Sequence, residues 1–182
     1  MEIKEFLENI NNVEFIEEEE DVSVKYIYNN NPNRLQDYED SVIALAIYLE
    51  LNIDDIDDIE NVNGDYTYTY NNDYYYCGTE DELFIAVKDY IEITIWAFNS
   101  SFLRNYGILY ELDYAEDILI LLQDKCDIAN DTILKLVDWE NNADEITREA
   151  ISSDGIGHFL NSYDGTTSEI TVNNTDYIIC RS

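Results

Sequence analysis

Asp65–Cys77 reads DYTYTYNNDYYYC, and Glu169–Cys180 reads EITVNNTDYIIC. In the first stretch, Asp65–Tyr70 alternates with period two, and Tyr74–Cys77 resumes after Asn71, Asn72 and Asp73. Period-two alternation puts successive side chains on opposite faces of a strand. Asn and Asp tolerate the positive φ that tight hairpin turns require. The stretch therefore predicts a β-hairpin. The second stretch predicts another, turning at Asn173–Asn174–Thr175. Helical spacing dominates between them. The expected fold class is α+β: two small antiparallel hairpin or sheet regions with a central group of helices.

The helical part opens at Thr79–Glu82 (TEDE), a capping-box pattern in which the Thr hydroxyl accepts the N3 amide while Glu82 reaches back. It predicts a helix over Glu80–Phe98 carrying Leu83, Phe84, Val87, Ile91, Ile95 and Phe98, with Trp96 and Phe98 in the core. The β-branched run Ile91–Ile95 (IEITI) has modest helix propensity, so packing must support it. A short helix is expected over Ser100–Tyr106, ended by Gly107. Asp113–Glu116 (DYAE) reads as a second cap. The helix it opens is expected to place Ile118, Leu119, Leu122 and Cys126 on one side, with helicity continuing through Asp131–Val137. Ala143–Ser152 is a further helix, closed by Gly155.

Upstream, Met1–Asn11 has apolar residues at helical spacing, and Asp21–Tyr28 (DVSVKYIY) reads as a strand after VEFIEEEE. The NNNPN run with Pro32 marks a loop. Arg34–Leu51 reads as a helix. In Asn52–Glu60 (NIDDIDDIE), Ile53, Ile56 and Ile59 recur every three residues, which predicts a helical or 3₁₀ turn with Ile anchors and an outward acidic face. No fixed-period repeat or Gly/Ser linker splits the chain. One α+β domain over 1–182 is expected, divisible into a strand-rich part, 1–78, and a helical part, 79–182.

Charge bounds the function. The 182 residues hold 41 Asp and Glu against 9 Lys and Arg, a net charge of −32. Solubility alone asks for a magnitude of about 2–8 in a small domain, and excess like charge opposes compaction. With 46% hydrophobic residues, the chain has material for a core, unlike a disordered acidic tail. Nucleic acid and anionic membranes are disfavoured as partners, because both are negative. A basic protein groove is favoured, because such grooves hold a duplex bearing about one charge per 1.7 Å. A halophilic surface is the alternative source of acidity, but the richness in Ile, Asn and Tyr fits an A/T-rich genome better.

The densest carboxylate runs are Glu17, Glu18, Glu19, Glu20 and Asp21, and then Asp54, Asp55, Asp57, Asp58 and Glu60. A single run is usually a solvated loop. Here the runs coexist with Glu80, Asp81 and Glu82, and with Asp113, Glu116, Asp117, Asp124, Asp127 and Asp131 along another helix. Tyr side chains between them add flat contact area. The two densest runs are the expected partner-binding residues. Asp54–Glu60 lacks the Gly and ligand spacing of a calcium loop, so no metal or cofactor is expected. Cys77, Cys126 and Cys180 form no C-x-x-C pair and are expected to be reduced thiols. His158 is the only histidine, between Gly157 and Phe159 and near Ser153 and Asp154. It is the one handle for a catalytic reading, but no G-x-S-x-G or H-E-x-x-H surrounds it. The expectation is a protein that is not an enzyme.

Trp96–Leu103 (WAFNSSFL) and Ala150–Gly165 (AISSDGIGHFLNSYDG) are similar to segments of a family of short, uncharacterised phage and mobile-element proteins, over about Thr79 to the C-terminus. Size, charge and composition together resemble the acidic anti-CRISPR proteins that block type II-A Cas9. That resemblance implies inhibition of the guide-RNA-loaded nuclease by occupying a basic DNA-binding surface, blocking DNA binding or cleavage. It carries over no contact residue. An antirestriction DNA mimic against a restriction-modification enzyme is the alternative, although the N-terminal segments characteristic of that group are not found. Met1–Ile10 (MEIKEFLENI) does not read as a signal peptide, and no run is long enough to span a membrane. The expected location is the cytoplasm of the infected or host bacterial cell.

Overall fold

Asn71 and Asn72 both have positive φ, 52° and 67°, and so do Asn173 and Asn174, 52° and 62°. Two consecutive left-handed residues make the hairpin turn whose twist matches that of the strands. Each pair therefore fixes the register of its hairpin. The computed structural model describes residues 38–51, 54–62 and 64–182, together with the backbone of two paired strands, β1 (Phe15–Glu18) and β2 (Asp21–Val24). The first Asn pair joins β4 (Thr67–Tyr70) to β5 (Asp73–Gly78). The second joins β6 (Ser168–Val172) to β7 (Thr175–Arg181).

The two hairpins share one sheet. β5 pairs with β7, Tyr76 opposite Cys180 and Cys77 opposite Ile179, and the order is β3-β4-β5-β7-β6 with β3 at Glu60–Asn61. One face carries Tyr68, Tyr75, Cys77, Ile170, Val172 and Ile179, all buried, under helix α1 (Asp40–Tyr48). The Ser41 and Tyr68 hydroxyls lie 2.8 Å apart and share a hydrogen bond, and Tyr48 meets Tyr75 edge-on. On the other face, helix α7 (Ile156–Leu160) packs on β7, where Cys180 is buried.

The chain divides into two compact units, the first made of Met1–Leu83 and Ile156–Ser182, the second of Phe84–Gly155. The C-terminal hairpin thus returns to the sheet begun by the first, and the division does not follow a cut near residue 78.

Helix α2 (Glu80–Thr94) starts as its sequence predicts. The Thr79 amide donates to Glu82 Oε2 at 2.7 Å, and the Glu82 amide reaches Thr79 Oγ1 at 3.4 Å. It ends earlier than expected, in a 3₁₀ turn at Ile95–Ala97 that follows the β-branched run. Asn130 satisfies the backbone groups released there, accepting from the Trp96 amide at 3.2 Å and donating to the Glu92 carbonyl at 2.6 Å. Ile95 takes the core position, so Trp96 and Phe98 are only half-buried rather than interior.

The second unit continues through α3 (Ser100–Leu103), a 3₁₀ turn at Gly107–Glu111, α4 (Ala115–Gln123), a 3₁₀ turn at Cys126–Ala129, α5 (Asn130–Leu136) and α6 (Trp139–Asp154). Its buried residues include Val87, Ile91, Leu103, Leu119, Ile133, Val137 and Ile146. Gly107 sits at φ 55° with the space for a Cβ taken by the Leu136 carbonyl 2.4 Å away, which explains the glycine there.

Three further expectations are corrected. α4 begins after Tyr114 with no side-chain cap, so the DYAE pattern is not used. Cys126 lies beyond α4, exposed and at φ 54°, because the helix has already ended. The described part of the helix expected over Arg34–Leu51 runs only from Asp40 to Tyr48, with Glu50 at φ 53° turning the chain away. The expectations for Met1–Asn11, for the NNNPN loop and for the strand beyond Val24 lie outside the described residues.

Candidate functional site: an acidic groove at the sheet edge

Glu60, Thr69 and Tyr74 are cross-strand partners in turn, Glu60 opposite Thr69 and Thr69 opposite Tyr74. Directly paired residues share a face, so these three form one row on the side of the sheet away from α1. The row lies near the β3 edge, where Tyr74 stays half-exposed at 51%. β3 itself is only two residues long, and Asn61 holds its exit by donating to the Asp65 carbonyl at 2.6 Å.

The acidic run feeds this row. Ile56 is fully buried and anchors a 3₁₀ turn at Ile56–Asp58, closed by bonds from the Asp58 amide to the Asp55 carbonyl and from the Ile59 amide to the Ile56 carbonyl. With Ile56 pointing inward, Asp57, Asp58 and Glu60 are left exposed. The Tyr38 hydroxyl donates to Asp57 Oδ1 and ties that carboxylate down. Asp58 and Glu60, together with Thr69, Asn71, Asn72 and Tyr74, line an open groove of about 350 Å³. Two carboxylates, an aromatic ring and the side-chain amides of the turn are groups whose chemistry suits a cation with hydrogen-bond donors, such as a guanidinium or ammonium group.

The expected contact residues therefore separate. Of the second run, Asp58 and Glu60 line the groove, Asp57 is held by Tyr38, and Asp54 and Asp55 precede the turn. Of the first run, Glu17 and Glu18 pair in register with Val22 and Asp21. Glu19, Glu20 and the side chains of Glu17, Glu18 and Asp21 lie outside the described residues. Glu82 is committed to its helix cap, accepting from both Thr79 N and Thr79 Oγ1. The series Asp113 to Asp131 is not one helix face. It is spread over the turn before α4, α4 itself, the 3₁₀ turn after it and the start of α5, and Glu116 pairs with Arg104 at 3.3 Å.

Sequence reasoning missed Thr69, Asn71, Asn72 and Tyr74 as groove residues. The hairpin was readable, but the pairing of Glu60 with Thr69 depends on a two-residue strand with no pattern of its own.

Burial pushes the Cys77 thiol up, and pushes the Cys180 thiol up to about 12. Neither is a thiolate nucleophile near neutral pH. Burial, with the carboxylates of Asp40 and Glu82 adding to it, pushes the Tyr177 phenol up to about 12. Donors from Thr166, with Asn161, hold the Asp164 carboxyl below the usual range, in a loop where Asn161 also accepts from the amides of Tyr163 and Asp164. This loop explains the GIGHFLNSYDG tail. Gly157 leaves room for the Gly165 carbonyl, which would lie 2.1 Å from a Cβ. His158 is exposed on α7 with its ring edge-on to Phe159, and Ser153 Oγ lies 3.1 Å from Asp154 Oδ1. No described side chain hydrogen-bonds to His158.

All three cysteines are free, and among the described residues no helix is long and apolar enough to cross a membrane. No protein family, no curated protein and no solved structure matches this chain.

Proposed function

We propose that this protein is an inhibitor that binds the cationic nucleic-acid groove of an RNA-guided nuclease, guide-RNA-loaded Cas9, and blocks its DNA binding or cleavage. The observation that carries the reading is the groove in which Asp58 and Glu60 stand beside the exposed ring of Tyr74, on a chain of net charge −32. An arginine that otherwise contacts a phosphate can lay its guanidinium over Tyr74 and donate to the carboxylates. The surrounding negative field speeds the encounter and repels competing DNA. The choice of an RNA-guided nuclease as target rests on the resemblance to acidic anti-CRISPR proteins.

The test is a Cas9 cleavage assay with purified protein added before or after target DNA. Inhibition only on prior addition supports competition for the DNA groove, and inhibition in either order moves the block to a later step. The double variant Asp58→Asn/Glu60→Gln is expected to bind about tenfold more weakly and with a shallower salt dependence. The same is expected on neutralising Glu17–Asp21. Unchanged affinity for both variants removes the carboxylate mechanism. No inhibition of Cas9, with inhibition of a restriction-modification enzyme, transfers the reading to antirestriction.

A further inference from the structure

Helix α4 is apolar on two sides. Ala115 and Leu119 are buried and half-buried Leu122 continues their row, the ordinary inward stripe of a surface helix. Tyr114, at the cap just before the first turn, and Ile118 and Leu121 within the helix recur at i, i+4 and i+7 along another side, and they are 72%, 37% and 67% exposed. Tyr114 and Leu121 stand largely outside the core of the second unit, and Ile118 lies at its margin. Asp117 and Asp124 are seven residues apart and flank it, both exposed and neither ion-paired among the described residues.

We infer that the Tyr114–Ile118–Leu121 stripe is a docking face for a cationic amphipathic helix of a partner protein. An i, i+4, i+7 ridge is what a second helix packs against. A partner helix with its own apolar stripe covers the three side chains, and Lys or Arg beside that stripe meets Asp117 and Asp124. The charge selects this occupant over a second copy of the chain, because two molecules at −32 repel each other. The face belongs to the second unit and the acidic groove to the first, so the inference stands whether or not the nuclease is the target.

The probe is a fluorescent helical peptide with Leu at i, i+3, i+4 and i+7 and Lys elsewhere, titrated against the full chain. Its control is a peptide of the same composition with the order scrambled. The ordered peptide is expected to bind at least tenfold tighter than the scrambled one. Leu121→Ser and Ile118→Ser are expected to abolish that preference. Ile120→Ser removes an exposed apolar side chain from a different side of the same helix and is expected to preserve it. Equal binding of the two peptides overturns the inference in favour of unspecific charge attraction. So does a preference that survives Leu121→Ser, or one lost equally with Ile120→Ser. Concentration-dependent self-association abolished by Leu121→Ser overturns it in favour of a second copy.

Discussion

β5 and α4 are both apolar on two sides, and only β5 uses both within its own unit. Tyr75 and Cys77 of β5 are buried in the core under α1, while Tyr76, on the opposite face, is half-buried beside Tyr66 at a ring distance of 6.3 Å. Its neighbour β7 does the same, with Ile179 on one face and Cys180 on the other, both buried. α4 buries Ala115 and Leu119 but leaves Tyr114, Ile118 and Leu121 outside. β5 and β7 are covered on both faces where Tyr76 and Cys180 lie opposite each other, while the Tyr74 end of β5 stays open at the groove. A helix on the surface of a unit buries one stripe, and Tyr114 and Leu121 of the second stripe stay largely exposed.

That contrast predicts the largest effect. Leu119→Ala leaves a cavity at a fully buried site and is expected to cost about 2–5 kcal/mol of stability. Leu121→Ala, two positions along the same helix, is expected to change stability by no more than about 0.5 kcal/mol. Urea unfolding of the two variants separates them. Comparable losses would place Leu121 in the core and cancel the distinction between the two sides.

Why one region was legible in the sequence and the other was not follows from where the information sits. The hairpins are coded locally, by alternation in DYTYTY and by consecutive Asn residues that accept positive φ. The cap at Thr79–Glu82 is local too. The meeting of β5 with β7 joins residues about a hundred positions apart, and no turn residue encodes it. A signal was nevertheless present, since YYYC and YIIC are continuous apolar runs, the mark of strands buried on both faces. In the helical unit, 3₁₀ turns interrupt the helical period at Ile95–Ala97 and Cys126–Ala129. The first interruption rotates Phe98, which follows it, and α4 ends at Gln123 before Cys126 is reached, which is why both residues leave the faces their spacing assigned. The groove was half legible. Asp58 and Glu60 stood out as acids, whereas Thr69 and Tyr74 joined them only through strand register.

The doubly covered sheet also makes a prediction for alkaline pH. The Cys180 thiol, ordinarily near 9, is pushed up to about 12 by burial, and the Tyr177 phenol, ordinarily near 10, also to about 12. In the folded protein both stay neutral while the unfolded chain loses its protons. The stability they confer is whole below about pH 9 and drains away as pH rises towards about 12. For the thiol alone, the loss by about pH 10 is about 1 kcal/mol. Cys180→Ala is therefore expected to lose less stability than the unaltered protein between about pH 8 and about pH 10, whatever it costs at neutral pH. Parallel pH profiles in urea unfolding would mean that Cys180 is open to solvent and that the second face of β7 is not covered.

The finest comparison is between the two turns. Asn71 and Asn173 hold the same left-handed conformation, both at φ 52°, and Gly adopts it without strain. Their amides do different work. Asn173 Nδ2 donates to Asp40 Oδ1 at 2.9 Å and ties the C-terminal turn to the first turn of α1, whereas Asn71 lines the acidic groove. Asn173→Gly is expected to keep its hairpin but to cost about 1 kcal/mol through the lost bond. Asn71→Gly is expected to leave stability within about 0.5 kcal/mol and to act only on what the groove binds. If both substitutions prove equally silent in thermal unfolding, the Asn173–Asp40 bond contributes nothing, and the two turns are equivalent supports for the sheet. A loss at Asn173 alone shows that one turn braces the helix over the core while the other is free to face a partner.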